Sequence, residues 1–498
     1  MISLFRPSIV IGLTLAAMTA GAWLYPGGFG TYLLFTAVFF TILYSGIFCG
    51  FQYSHFFLAV AWFIGFWLKS MVHFGLNAPY CEPVGSFDGS VRAWDNVLLV
   101  ASIGGLGYLA GRLLVLPVVR RIKPPSINIG LPWWYHRLRT PLWLSAAAVL
   151  IAIVIANHEM GLIVRGYVAK VQLPWPLGGL FAWMTDVGLA LTISVLAAWD
   201  RAAGAGVIRG FFALCVEGAV LSVGTLSRGL YFFHTLPAFV SEGRTSASVQ
   251  SQFRQAVVLL TIWFAVALTI PLLTTGLRLV GEKAIPTTQA KMDAEAGATA
   301  TETRAASIDP RCSNNEPHSA KSILAQAFYI ARALIIDRWT GLEGLMSSES
   351  YAKRSMSLLK EAALLRRSYG TVDVYTDKIS ASGFTEANAK KYHFATLAGP
   401  MAFFNFSGSW LVVFAGMALL AMVMSLLEIL WTTLVHDPLV VAMSGCYLAL
   451  VVLQLSGGIV QAATGPVTVT AFLALVWLIN RVSCTAAEMQ PSTQQLTK

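Results

Sequence analysis

Residues 408–433, GSWLVVFAGMALLAMVMSLLEILWTT, settle the fold class. A single carboxylate, Glu428, interrupts an apolar run long enough to carry a helix across a hydrocarbon layer, which takes about 20 residues. Comparable runs lie at 8–25, 31–50, 53–77, 95–117, 142–157, 176–199, 206–224, 255–279, 437–457 and 465–481. They are long, continuous and rich in Leu and Ala, which is helix patterning and not the ten-residue alternation of a membrane barrel. The whole 498-residue chain agrees: 56% of it is hydrophobic and 12% is charged, about half the charge of a soluble protein. That balance excludes disorder, a collagen, a disulfide scaffold and an ordinary soluble enzyme. The expected fold is all-α, a polytopic integral membrane helical bundle of about twelve transmembrane helices with a long outward-facing loop late in the chain.

Lys and Arg orient the bundle through the positive-inside rule. With the N-terminus in the cytoplasm, loop 118–141 is cytoplasmic and carries Arg120, Arg121, Lys123, Arg137 and Arg139. Segment 200–205 and loop 280–322 fall on the same side, while 26–30, 78–94 and 158–175 face outward with few positive charges. The net charge of +10 therefore reads as basic cytoplasmic loops, with no nucleic-acid partner. The expected order is 1–279 with eight spans, 280–322 as a flexible cytoplasmic linker rich in Ala, Thr and Ser, 323–346 as a charged spanning helix, 347–404 as a periplasmic loop, 405–481 with three spans, and 482–498 as a cytoplasmic tail. The stretch 323–346 is the difficult one, because Arg332, Asp337, Arg338 and Glu343 each oppose insertion. If it did not span, 281–404 would be one cytoplasmic domain and the C-terminus would lie outside.

Several chemistries have no motif here. There is no GxxxxGK[ST] loop, no second His to complete His158-Glu159 as a zinc motif, no GxSxG elbow and no Asp-Xaa-Asp pair. The six cysteines are scattered without ligand spacing and read as small buried hydrophobes. Neither a metal nor a cofactor is expected.

What stands out instead is charge in apolar surroundings. Asp186 and Glu217 fall roughly 13–17 Å deep in their spans, from their position along the helices at 1.5 Å per residue. Lys69 lies nearer the outer end of its own span. Such intramembrane polar residues line an ion path or cavity, or fix helix packing by hydrogen bonds. Three cationic clusters converge on the outer side under this topology. LSRGLYFFHTLPAF at 226–239 holds Arg228 and His234 among aromatics, as an interfacial amphipathic stretch. DRWTGLEG at 337–344 sets Arg338 beside Trp339, with Gly341 and Gly344 clearing one helical face. Segment 351–393 is basic, and within it 352–367 reads as an amphipathic helix with Met356, Leu359, Ala363 and Leu364 on the apolar face.

The run FYIARALIIDRWTGLEGLM at 328–346, followed by AGPMAFFNFSGSWLVVFAGMAL at 398–419, resembles segments of the O-antigen polymerase and oligosaccharide repeat-unit polymerase group. These are polytopic enzymes of the bacterial inner membrane that act on glycans linked to undecaprenyl diphosphate. The resemblance implies a metal-independent glycosyltransferase of surface-polysaccharide biosynthesis. Its partners would be the lipid-linked glycan, membrane lipid and other polysaccharide-assembly membrane proteins. It implies that Arg228, Arg338 and Arg254 hold the diphosphate, Arg228 and Arg338 meeting in one pocket. The base that takes the acceptor proton would come from Glu343, His393 or His234. The residues themselves leave two other readings open: a polysaccharide-related transporter or flippase, resting on Asp186, Glu217 and Lys69, and a noncatalytic assembly subunit docking through 280–322.

Overall fold

The structure, a computed structural model, describes residues 7–48, 52–76, 78, 80, 82–122, 124–125, 130–166, 168–174, 176–227, 229–245, most of 261–274, 340–366, 372–380 and 398–488. Regular structure among them is entirely helical. This is what a bilayer requires of an open chain, since a helix satisfies its own backbone groups where no water is available.

The helices are α1 (Pro7–Leu24), α2 (Phe29–Phe48), α3 (Tyr53–Leu76), α4 (Val91–Val119), α5 (Tyr135–Met160), α6 (Leu177–Ala202), α7 (Val207–Gly224), α8 (Leu230–Thr245), α9 (Leu342–Ser350), α10 (Met356–Leu364), α11 (Gly399–Asn405), α12 (Trp410–Leu434), α13 (Pro438–Leu453) and α14 (Ile459–Glu488). Eight of them are long and apolar enough to cross a membrane: α2 to α7, α12 and α14. The protein is a multi-pass membrane protein. The expected run at 142–157 is the core of the longer α5, which opens with polar Tyr135–Thr140 and closes at Gly161, a left-handed residue at φ 58°. Both α3 and α6 contain one wider π turn, Phe63–Leu68 and Met184–Gly188.

The chain divides into two compact units. The first comprises Met1–Arg121, Glu282–Leu426 and Leu448–Thr464. Its crossing helices pack through small residues and rings. Gly107 and Gly111, one turn apart on α4, face α12 so closely that a Cβ on either would sit 2.2 and 2.1 Å from the carbonyl oxygens of Phe414 and Ala418. Such close backbone approach replaces the hydrophobic driving force that lipid does not supply between helices. A ladder of rings, Tyr32, Phe35, Phe39 and Phe66, joins α2 to α3.

Packed against these helices is a group of helices too short to cross: α9, α10, a π turn at Tyr375–Ile379, and α11, with Met401 of α11 against Gly104 midway along α4. It is stitched to the α3–α4 connection, where the Gly85 amide donates to the Ser380 carbonyl (3.1 Å) and the Ser347 hydroxyl to that of Pro83 (2.9 Å). It is stitched to itself by the Ser355 amide on the Phe406 carbonyl, 2.8 Å.

Two expectations shift here. Ser355 caps α10 through the Leu358 amide, so this helix begins at Met356. It buries Leu358 and Ala362 and leaves Met356 and Leu364 exposed, because docking selects the i, i+4 pair that faces α11 and not the more apolar stripe. Gly341 and Gly344 do not share a helical face. Gly341 precedes α9 in extended backbone, φ −167°, and meets Gly65, whereas Gly344 lies inside α9 against the Ala398 carbonyl. Of the 323–346 stretch, 323–339 lies outside the described residues.

The second unit comprises Ile122–Gly281, Leu427–Tyr447 and Gly465–Lys498. Here the described residues of the 226–239 stretch, Arg228 not among them, pack inside the unit. α8 runs antiparallel to α7, with Tyr231 at Gly218 and Phe239 at Phe211. Its aromatics are drawn inward because they close a cluster of Tyr231, Ala267 and Ile270 with Trp263. One end of this unit is tied by Arg201, whose guanidinium binds both Asp437 oxygens at 2.7 Å and Glu242 at 3.0 Å. Beside it Asp200 accepts from Tyr135 (2.6 Å) and Arg139 (2.9 Å).

Candidate functional site

In the first unit, Lys69 and Glu343 meet. The ammonium donates to the Glu343 carboxylate at 2.7 Å, and both side chains are nearly inaccessible, 4% and 6% exposed. Local chain geometry brings them together. Lys69 follows directly on the π turn of α3, which rotates it relative to a regular helix. Glu343 stands in the first turn of α9. Between them, Gly65 and Gly341 touch backbone to backbone: a Cβ on Gly341 would lie 1.7 Å from the Gly65 carbonyl oxygen. Only glycine at both positions admits that approach.

Hydroxyls continue the polar wall from this pair. Ser347, one turn beyond Glu343, accepts from the Tyr375 phenol at 3.2 Å, and Tyr80 lies near Glu343. Burial pushes the phenols of Tyr80 and Tyr375 well above their ordinary range, and the Glu343 charge adds to the rise in each. Both phenols therefore stay protonated, and that of Tyr375 donates to Ser347. Further along, the Asn405 amide donates to Ser348 (3.2 Å) and Glu349 (3.1 Å), and Arg354 is held by the same Glu349. Arg354 is thus committed inside the seam, and Lys378 pairs with Glu361, while Lys353, Lys360 and Arg366 remain at the surface.

In the second unit, Glu217 and His234 form an equally buried pair. His234 Nδ1 faces the Glu217 carboxylate at 2.9 Å and its Nε2 reaches the Asp186 carbonyl at 3.1 Å. A carbonyl only accepts, so Nε2 carries a proton, and a second proton lies between Nδ1 and Glu217. Both ring nitrogens are engaged in this arrangement. The Asp186 carboxylate binds Arg165, a partly exposed cation of the α5–α6 connection. Asp186 sits in the π turn of α6, where the wider turn swings its carbonyl toward the imidazole.

Of the residues expected to carry chemistry, Glu343 with Lys69, and His234 with Glu217 and Asp186, are brought together in these two clusters. Arg228, Arg254, Arg338 and His393 lie outside the described residues. Sequence reasoning passed over Arg165, which looked like one loop charge among many. It also passed over a buried chain in which His55 bonds Tyr108 (2.5 Å) and Ser425 (2.8 Å); all three sit singly in apolar runs, and no spacing links them. No group of three or more His, Cys, Asp or Glu side chains that could hold a metal ion occurs among the described residues. No family model, no curated protein and no solved structure matches this chain.

The first cluster has the richer chemistry. It combines a cation, a carboxylate and hydroxyls, set where short helices pack against longer ones. The second links α6, α7 and α8 through the His234 ring, which contacts Glu217 on one side and the Asp186 carbonyl on the other.

Proposed function

We propose that the protein is a glycosyltransferase of the bacterial inner membrane that polymerises or transfers undecaprenyl-diphosphate-linked oligosaccharide repeat units. In this reading it has about twelve spans, and segment 347–404 faces outward. The observation that carries the proposal is the seam between the two stretches that bear the resemblance. Gly344 of the RWTGLEGLM run packs on the Ala398 carbonyl that opens AGPMAFFNFS, and Asn405 of the second stretch bonds Ser348 and Glu349 beside the first. Stretches far apart in sequence form one polar wall, and it holds the Lys69–Glu343 pair.

The reaction is displacement at the anomeric carbon of one lipid-linked glycan by a hydroxyl of another. Negative charge grows on the departing diphosphate, so fixed cations and hydroxyl donors near it lower the barrier. Proton removal from the acceptor needs a carboxylate or imidazole within reach, and among the described residues Glu343 has the surroundings for it.

Purified protein in lipid nanodiscs, supplied with undecaprenyl-diphosphate-linked repeat units, is expected to produce a ladder of longer glycans and free undecaprenyl diphosphate. Folded protein that leaves the substrate unchanged refutes the proposal. A second reading, a proton-coupled flippase, draws on the buried Glu217–His234 pair. It predicts movement of the lipid-linked glycan between leaflets without any change in its length.

A further inference from the structure

Resting on the reading above, we infer that Lys69 is the group that holds the substrate diphosphate and that Glu343 is its resident counter-ion, displaced by the diphosphate and so freed to take the acceptor's proton. The structural grounds are the pair's position, its chemistry and its contrast with other buried pairs of the chain.

Removing a lysine and a glutamate from water costs more than apolar residues of the same size would, so a buried pair calls for a reason beyond stability. This one joins residues 274 positions apart. It stands where a crossing helix meets the short-helix group, at the Gly65–Gly341 contact.

The Arg201–Asp437 pair is built differently. The guanidinium grips both carboxylate oxygens, and the Asp437 carboxylate also accepts the Leu439 and Val440 amides. Geometry of that kind locks a planar fork in place. A lysine ammonium is a compact charge on a flexible stem, able to rotate from a carboxylate to a phosphate oxygen without losing its charge partner. The Glu217–His234 pair offers no comparable exchange, because the Asp186 carbonyl holds the far side of the ring. Beside Glu343, the Tyr375 phenol donates to the Ser347 hydroxyl, which in turn donates to the Pro83 carbonyl, a neutral hydrogen-bonded chain next to the pair.

The step balances. The acceptor hydroxyl transfers its proton to the Glu343 carboxylate while its oxygen bonds to the anomeric carbon. The bond from that carbon to the diphosphate oxygen breaks, and its electron pair leaves with undecaprenyl diphosphate, whose added charge is met by the Lys69 ammonium. Glu343 then returns its proton to solvent and re-pairs with Lys69.

The test uses full-length protein in nanodiscs with two readouts: binding of undecaprenyl diphosphate, and elongation of lipid-linked repeats. Glu343→Gln is expected to bind the diphosphate at least as tightly as the wild type, since Lys69 is released, while elongation falls by roughly 10²–10⁴-fold, the usual worth of a general base. Lys69→Met is expected to lose binding by about 10- to 100-fold, as for a lost charge-assisted hydrogen bond. The charge-exchanged Lys69→Glu/Glu343→Lys protein restores an ion pair but not the chemistry, so it should elongate no better than Glu343→Gln. Near-normal elongation by the exchanged protein, or binding lost equally in both single variants, overturns the inference while leaving the proposed activity standing. If the exchanged protein does not fold, the two single variants decide. Wild-type protein that neither binds undecaprenyl diphosphate nor elongates the glycan removes both.

Discussion

Replacing Arg201 by Met should be among the most damaging single changes in the second unit. Asp437 is fully buried, and the Arg201 side chain is 6% exposed. The substitution leaves the carboxylate without its guanidinium, a loss of about 3–5 kcal/mol for a broken buried pair. Asp437→Asn is milder. It keeps the side-chain oxygen that accepts from Leu439 (2.9 Å) and Val440 (3.2 Å) at the start of α13, and Asn caps a helix as well as Asp does. It loses only the charge-assisted bonds, about 2 kcal/mol, with Glu242 still present for Arg201. Asp437→Ala should cost about 1 kcal/mol more, the worth of the cap. The double variant Arg201→Met/Asp437→Asn should recover roughly 2 kcal/mol of the Arg201→Met loss, because no charge is then left stranded. The assay is equilibrium unfolding of purified protein in mixed micelles, followed by helical ellipticity. Equal losses for Arg201→Met and the double variant would refute the argument, since they would mean that Asp437 is solvated.

The acid dependence of the same group has a definite sign: burial pushes the Asp437 carboxyl above the ordinary carboxylate range, with Arg201 and the two amides pulling it back. A carboxyl raised in the folded state stabilises most below its unfolded pKa of about 3.9 and loses that contribution as pH rises through the folded value, so Asp437→Asn should flatten the stability–pH curve over that window. Gly107→Leu or Gly111→Leu should abolish monodisperse folded protein in detergent, because a Cβ already meets backbone of α12, whereas Gly30→Ala, with open space around it, should leave size-exclusion profiles unchanged. Ser355→Ala should cost about 1 kcal/mol through the lost cap of α10, read as faster proteolysis between 351 and 366. Single cysteines at Ser86 and Lys353 should react with impermeant thiol reagent from one side of the membrane and a cysteine at Arg121 from the other; labelling of 86 and 353 from opposite sides would dismantle the short-helix group described above.

Eight spans were legible in the amino-acid order because a bilayer judges a segment mainly by its own length and apolarity. Runs predicted at 31–50, 53–77 and 408–433 emerge as Phe29–Phe48, Tyr53–Leu76 and Trp410–Leu434. The same local logic marked Lys69, Asp186 and Glu217, since a charge in an apolar run is conspicuous wherever its partner lies. Partners are another matter. Glu343 is 274 positions from Lys69 and Asp437 is 236 from Arg201, and no periodicity connects such distances; only the packing of helices decides which charges meet. The docking face of α10 moved by one position for a related reason, because the neighbouring surface it packs against selected Leu358 and Ala362 over the larger apolar side chains. His234 shows the difference most directly. In sequence it stood as a free imidazole among aromatics. In the folded chain the antiparallel course of α7 and α8 sets one ring nitrogen on Glu217, and the π turn of α6 sets a carbonyl on the other. Composition and run length determined that this chain enters a membrane; the tertiary structure determined which of its charges meet and which pair, Lys69 with Glu343, stands beside the chain of hydroxyls.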